Sequence, residues 1–370
     1  MMARTRLTKL PKNVEELAQW YMRYISPISL VAALLLDYFV LLRRVDLWTG
    51  NLLLLFYLSL AASCITILNL IETGRLKNPW LIKITPLIPV VAQFAFGGLF
   101  TAYFSLYSRS AAVELTWIFI AILAILLVGN ERFVRFYMRF TFQVSMFFAV
   151  LFSFLIFFLP VVFKQIGPYM FVVSGIVSLL LITAFFHLLA YLVPERAKAA
   201  RTNVARAIAI IFLTFNLFYF SGVIPPLPLA LKEGGVYHRV VREGSDYRLS
   251  YEPLRWYEAY LRYNTVYHRA PGEPVYVFSA VFAPSGLSTT IFHEWQHYDE
   301  AADEWRTDET IPFEIVGGRE GGYRGYSIKT EPSPGKWRLN VLTRYGHVIG
   351  RVSFSVVATS SAAVLAEKVE

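Results

Sequence analysis

The sequence predicts two fold classes in one chain: an all-α membrane bundle of seven transmembrane helices, then an all-β domain. Three observations carry this. Seven long apolar runs fill the first 230 residues, and the Lys and Arg between them fall alternately thick and thin. After residue 275 the texture changes to short alternating runs bounded by Gly and Pro. Mean hydropathy is +0.48 and 16% of residues are charged, against about a quarter in soluble domains.

The predicted spans are 25–42, 52–71, 84–106, 113–128, 142–163, 169–193 and 207–227. Most approach the ~20 apolar residues needed to cross ~30 Å of hydrocarbon, and the fourth is the shortest. The first run follows a polar, Pro-containing stretch, so no cleavable signal peptide is expected. Before it, residues 14–24 read as a short amphipathic helix, with Leu17, Tyr21 and Tyr24 on one face, closing a cytoplasmic tail over 1–24. A plain extension of the first span fits this stretch equally well.

Charge divides by region. Before Leu231 there are 19 Lys/Arg and 8 Asp/Glu; from Leu231 onward there are 16 and 18. The basic balance belongs to membrane-flanking loops, which makes anionic lipid headgroups the expected partner and leaves no role for nucleic acid. The N-terminal tail and the second, fourth and sixth loops hold fifteen cations, and the first, third and fifth hold four. That bias places the N-terminus in the cytoplasm. Seven crossings then place everything after Pro228 outside. Cys64 is the single cysteine, so packing alone must hold that domain, which is feasible at its size.

Polar residues within the spans are few. Asp37 is the one acid well inside a run, and an intramembrane carboxylate marks a functional site by default. Arg43 and Arg44 follow one to two turns later, so a snorkelling structural pair is the blander reading. Gln93, Gln143 and Asn69 suit hydrogen bonds between helices. Pro86, Pro89 and Pro160 fit kinks, and Gly97, Gly98, Ser174 and Gly175 fit close helix approach.

Residues 231–274 read as a membrane-proximal periplasmic segment, with a helix or collar at 251–263. Residues 275–358 read as the sandwich proper, with strands at 275–282, 310–316, 323–329, 336–343 and 347–357. The last two form the clearest hairpin, Trp337, Leu339 and Val341 opposing Val352, Phe354 and Val356 around a Tyr345-Gly346 turn. Six or seven such strands indicate an antiparallel sandwich of immunoglobulin-like type. The tail, 359–370, is expected to fray.

HEWQH at 293–297 matches H-E-x-x-H, in which a helix sets two His on one face for zinc and the Glu acts as general base. Helix signals flank it, yet 291–298 also alternates as a strand with Ile291, His293 and Trp295 on one face, the better reading. A metal site at His293 and His297 is the minority alternative, with Glu314 or Glu320 as a distant third ligand. The Gly-rich run GGREGGYRGY at 317–326 lacks the phosphate-loop pattern. Its Arg319, Tyr323 and Arg324, with Trp337, are donors and flat faces of the kind that hold carboxylates, phosphates or sugars, though a structural Gly-rich turn with an Arg319–Glu320 or other Arg–carboxylate tie is the better reading.

The run at 278–287, the strings at 291–295 and 317–324, Lys329 and the string at 334–338 together resemble a bacterial domain family, the domain of unknown function twenty-nine-fourteen. The resemblance covers about 275–357. It implies an inner-membrane protein with a periplasmic β-domain, places Trp295 on a strand, and supplies no activity or catalytic residues. The acidic insert at 299–309 is longer than that family leads one to expect. The expectation is therefore a non-enzymatic protein without cofactor, presenting a periplasmic sandwich to a partner protein or envelope glycan, of unspecified oligomeric state. The rival readings are a transporter or enzyme acting on lipid-linked substrates within the bundle around Asp37, and a periplasmic zinc hydrolase.

Overall fold

The computed structural model describes residues 14, 16, 20, 48–109, 113–130, 136, 138–225, 228–254, 256–258, 263–319, 321–360 and 363–370. The first predicted span and Asp37 lie outside the described residues, as does the amphipathic stretch before them except for residues 14, 16 and 20. The chain divides into two compact units. The helical one comprises described residues up to Leu106 with Ile118–Leu159 and Tyr169–Phe220; the other comprises Tyr107–Trp117, Pro160–Pro168 and Ser221–Glu370.

The helices are α1 (Trp48–Glu72), α2 (Pro79–Ile84), α3 (Ile88–Arg109), α4 (Val113–Asn130), α5 (Phe140–Phe163), α6 (Pro168–Leu192) and α7 (Pro194–Phe220). Among the described residues, five stretches are long and apolar enough to cross a membrane: α1, Pro79–Ser108, α5, α6 and α7. Thr116–Asn130 is a shorter apolar helix. Helix is the form such runs take, because it satisfies every backbone group without water.

Pro and Gly act where the sequence placed them. Asn78 caps α2 through its side-chain oxygen, and Pro79 opens the helix. A 3-10 turn at Thr85–Leu87, holding Pro86, separates α2 from α3. A Cβ on Gly98 would stand 2.6 Å from the Tyr57 ring, so only glycine lets α3 lie this close to α1. The cationic sixth loop is instead the first half of α7. Pro194 opens it and alanines fill it, both favourable to helix, while long basic side chains reach outward.

The β unit contains β1 (Ala230–Tyr237), β2 (Arg239–Glu243), β3 (Asp246–Tyr251), β4 (Val266–Arg269), β5 (Val275–Phe282), β6 (Ser288–Asp299), β7 (Glu304–Val316), β8 (Tyr323–Lys329), β9 (Gly335–Thr343), β10 (Val348–Ala358) and β11 (Ala366–Val369). They form three sheets, ordered β1-β5-β8, β4-β10-β9-β6-β7 and β11-β3-β2. All pairings are antiparallel except β4 with β10.

Alternation along β5 sets the layering. Val275, Val277 and Val281 enter a core with Ile291, Trp295, Leu339, Val341, Val352 and Phe354 of the five-stranded sheet. Phe278 and Ala280 point the other way, into a second core with Val240, Tyr247 and Leu249. The β1-β5-β8 sheet is therefore buried on both faces, a middle layer between the other two. That explains why β5 reads as a nearly continuous apolar run rather than an alternating one.

Two sequence expectations change here. Residues 231–274, set apart from the sandwich in the sequence, supply β1 to β4. The tail expected to fray instead carries β11, which pairs with β3 from Ala366↔Tyr251 to Val369↔Arg248. The expected collar at 251–263 begins as the end of β3 and a 3-10 turn at Trp256–Glu258. The acidic insert closes a long β6–β7 hairpin, whose turn is held by Asp299 Oδ1 accepting from Ala301 N at 2.9 Å and Ala302 N at 3.2 Å.

Candidate functional site

The HEWQH string lies on strand β6, not on a helix. Pleating therefore sends His293 and Glu294 to opposite faces. His293 is 1% exposed. Its Nε2 is 2.7 Å from Ser279 Oγ, its Nδ1 is 3.0 Å from Ser327 Oγ, and Trp295 Nε1 donates to Ser327 Oγ at 3.0 Å. One consistent order satisfies all three: the indole N–H to Ser327, the Ser327 hydroxyl to Nδ1, and Nε2–H to Ser279. Burial pushes the His293 pKa down to about 3, so the imidazole is neutral.

His297 is four strand residues away, about 13 Å along β6, and packs on Trp337 with ring centroids 4.9 Å apart. The two histidines thus serve separate packing sites. Among the described residues, no group of three His, Cys, Asp or Glu is placed to hold a metal ion.

The Gly-rich run turns tightly into β8. A Cβ on Gly317 would stand 1.9 Å from the Pro284 carbonyl oxygen, and Gly322 adopts φ +89° against the β5 backbone. Glycine is required at both by backbone approach. Arg319 is exposed, and Tyr323 packs half-buried on the larger β core. Arg324 donates to Ser245 O at 3.4 Å and lies 3.7 Å from Asp246. Glu320 lies outside the described residues. Trp337 does not join them: it is 3% exposed within the core, and its indole N–H is donated to Ser333 O at 2.8 Å. Of the four proposed binding residues, three share the turn and start of β8, and the fourth is core.

In the helical unit, Gln143 Oε1 accepts from Asn69 Nδ2 at 2.7 Å, tying α5 to α1. Arg196 of α7 donates to Asn69 Oδ1 at 2.9 Å and pairs with Glu72. Gln93 is buried, and its backbone carbonyl accepts from Asn130 Nδ2 at 3.0 Å, joining α3 to α4. Ser174 Oγ donates to Leu155 O at 3.0 Å, joining α6 to α5. These are structural ties between helices.

Two further arrangements emerge from the β unit. The first occupies the face of the five-stranded sheet opposite His293. Glu294 Oε2 accepts from Gln296 Nε2 and Asn340 Nδ2, each at 2.8 Å. Asn340 Oδ1 accepts from Arg351 Nε at 2.7 Å, and Gln296 Oε1 accepts from Arg338 Nε at 2.6 Å. The Arg338 guanidinium lies 4.1 Å from the Trp305 ring centroid. Carboxylate, amides, guanidinium groups and indole are thus fixed beside one another across four strands. Arg338, Asn340 and Arg351 alternate along β9 and β10 with the apolar residues that enter the core. Their linkage to Glu294 and Gln296 needed the β6–β9 register.

The second arrangement centres on His238, between β1 and β2, whose side chain is 3% exposed. Its Nδ1 is 2.6 Å from Glu273 Oε1 and its Nε2 is 2.9 Å from Glu252 Oε1. Glu252 Oε2 also meets His268 Nδ1 at 2.7 Å. The Tyr267 ring stacks on the imidazole at 4.2 Å. Two carboxylates facing both ring nitrogens call for both N–H groups, that is, imidazolium. Burial opposes that charge, but hydrogen bonds to Glu252 and Glu273 outweigh it and raise the His238 pKa. Burial likewise raises Glu252, yet its bonds from His238 and His268 hold it below the usual carboxylate range. A cavity of about 770 Å³ opens beside this cluster, lined by Glu252, Glu258, Asn264, Val266, His268 and Val364. No local motif announced it, because its members come from four separate segments.

The chain is thus a protein of several long apolar helices followed by a β-sheet unit, a membrane-associated class. Within it, residues 288–356 match the family described as "Protein of unknown function (DUF2914)", a stretch from β6 into β10. No curated protein matches the chain. Among solved structures, the alkylpurine DNA glycosylase AlkC of Pseudomonas fluorescens, bound to DNA containing an abasic site analog, is 9% identical. That alignment covers 85% of this chain and 100% of that one at a TM-score of 0.23, too low to carry any argument.

Proposed function

We propose that this is a non-enzymatic, multi-pass inner-membrane protein whose C-terminal β unit is a periplasmic module that binds an envelope glycan. The observation that carries this reading is the linked row Glu294, Gln296, Asn340, Arg338 and Arg351 beside Trp305. Polyhydroxylated ligands need fixed donors and acceptors next to a flat apolar face. Groups already braced by one another lose little freedom on binding. The row lies wholly within the residues that match the family. The charge bias of the loops supports the periplasmic side.

The test uses the full chain in detergent. Calorimetric titration with soluble peptidoglycan fragments and with lipopolysaccharide core oligosaccharide should find a ligand whose affinity falls about ten-fold or more in Trp305→Ala and Arg338→Ala. No binding from either class, or binding that both variants retain, rules the glycan reading out. Capture of a protein partner dependent on the same two residues would replace it.

A further inference from the structure

We propose that α6 and α7 form a seat for one anionic phospholipid, its phosphate at Arg201 and Lys198 and an acyl chain in the groove between the helices. The inference rests on the membrane-spanning reading of these helices. A groove of about 390 Å³ runs between them, walled by Leu179, Ile182 and Phe186 of α6 and Val204, Ile208 and Phe212 of α7. Among the described residues that line it, Arg201 alone is charged.

Arg201 is exposed and, among the described residues, has no carboxylate partner, in contrast to Arg196, which is tied to Glu72 and Asn69. Lys198 lies three residues earlier, on the same helix face, and is likewise unpaired among the described residues. An arginine on the wall of an apolar groove wants an anion. In a bilayer the anion at hand is a lipid phosphate.

Length agrees with charge. Arg201 and Phe212 are separated by about 16 Å of helix, roughly half of a ~30 Å hydrocarbon core. The groove therefore extends over one leaflet, from its headgroup boundary to the midplane. The charges sit at the correct end: the first half of α7 holds Arg196, Lys198, Arg201 and Arg206, and residues 207–220 hold none. That end faces the cytoplasmic leaflet by the charge rule, where anionic lipids concentrate and basic pockets between helices recruit them. Small Ala205 and Ala209 leave space along the groove.

The test takes the full-length protein, recovered from carbonate-washed membranes, into native mass spectrometry with phosphatidylglycerol and phosphatidylethanolamine. Wild type should retain phosphatidylglycerol preferentially. Arg201→Gln should lower that preference about five-fold, the worth of one cation near an anionic surface. Ala209→Phe, which fills the groove, should lower retention of both lipids. Arg242→Gln, in the β unit, should change neither. A photo-crosslinking residue at Ile208 should label lipid. Equal retention of the two lipids by wild type, full retention by Arg201→Gln, or crosslinking at Ile208 to a peptide of this chain each overturns the lipid seat while leaving the membrane reading intact. Recovery of the protein in the soluble fraction overturns both.

Discussion

His238 and His293 are both buried imidazoles, yet their surroundings give them opposite responses to pH. His238 sits between Glu252 and Glu273, which raise its pKa. Its ion pairs stabilise the fold fully below the ordinary histidine value of about 6.5 and are lost as pH rises through the raised one. Glu252, held low, contributes above the ordinary carboxylate value and stops contributing as pH falls through its folded value. His293, whose ring nitrogens meet serine hydroxyls, is pushed down by burial and stays neutral to about pH 3. Below about pH 6.5 the unfolded chain takes up that proton and the folded one does not, so His293 lowers stability as the medium acidifies. Urea midpoints by pulse proteolysis across pH 3–9 should therefore peak near neutrality. His238→Gln should flatten the alkaline side, and His293→Gln should flatten the acid side. His238→Ala at neutral pH leaves two carboxylates facing each other and should cost about 3–5 kcal/mol. Ser327→Ala, which strands the Trp295 indole N–H, should cost about 1–3 kcal/mol.

At the scale of elements, the terminal strand yields the sharpest prediction. β11 completes the β11-β3-β2 sheet, and Tyr247 and Glu370 exchange both backbone hydrogen bonds just beyond it, at 2.8 and 3.0 Å. Lys368 pairs with Glu233 of β1. Truncation after residue 359 should expose β3 as an edge and lower the melting temperature of the β unit, by roughly 2–4 °C for each 1 kcal/mol lost. An unchanged melting curve would show β11 to be dispensable. What made elements legible was amphipathic contrast. The β9–β10 hairpin was readable because Trp337, Leu339 and Val341 alternate with polar neighbours around a Gly346 turn. The apolar helices were readable from length alone. β1, β2, β4 and β11 were not, because ALKEGGVY, RVVRE, VYHR and AEKV carry too few apolar residues to show a period. Pairing partners distant in sequence make them strands. The same limit hid the His238 cluster, assembled from residues 238, 252, 268 and 273, whereas HEWQH looked like a site because its members are adjacent. Burial of its first histidine gives it a structural role instead.

At the scale of the whole chain, charge and parity argue together. Cations crowd the α1–α2 connection with Arg75 and Lys77, the approach to α5 with Arg139, and the start of α7 with Arg196, Lys198, Arg201 and Arg206. The connection between α5 and α6 holds one lysine, Lys164, and none other. If α1, the stretch Pro79–Ser108, α4, α5, α6 and α7 each cross once, all the crowded ends share one side, as the retention of cations by the cytoplasm requires. Six crossings return the chain to the side from which α1 started. On the sequence expectation, a seventh crossing at 25–42 would set the cationic tail opposite the β unit. An alkaline phosphatase fused at Glu370 should therefore be active and a green fluorescent protein fused there dark, with the reverse at a fusion after Lys77. Fusions after Lys164 should behave like those at Glu370. Removing residues 25–42 sets the cationic tail against the loop cations, because the remaining six crossings keep the β unit outside only if that tail is translocated; phosphatase activity at Glu370 should therefore fall. If the full chain instead gives fluorescence at Glu370, the β unit faces the cytosol and the glycan reading loses its ligand.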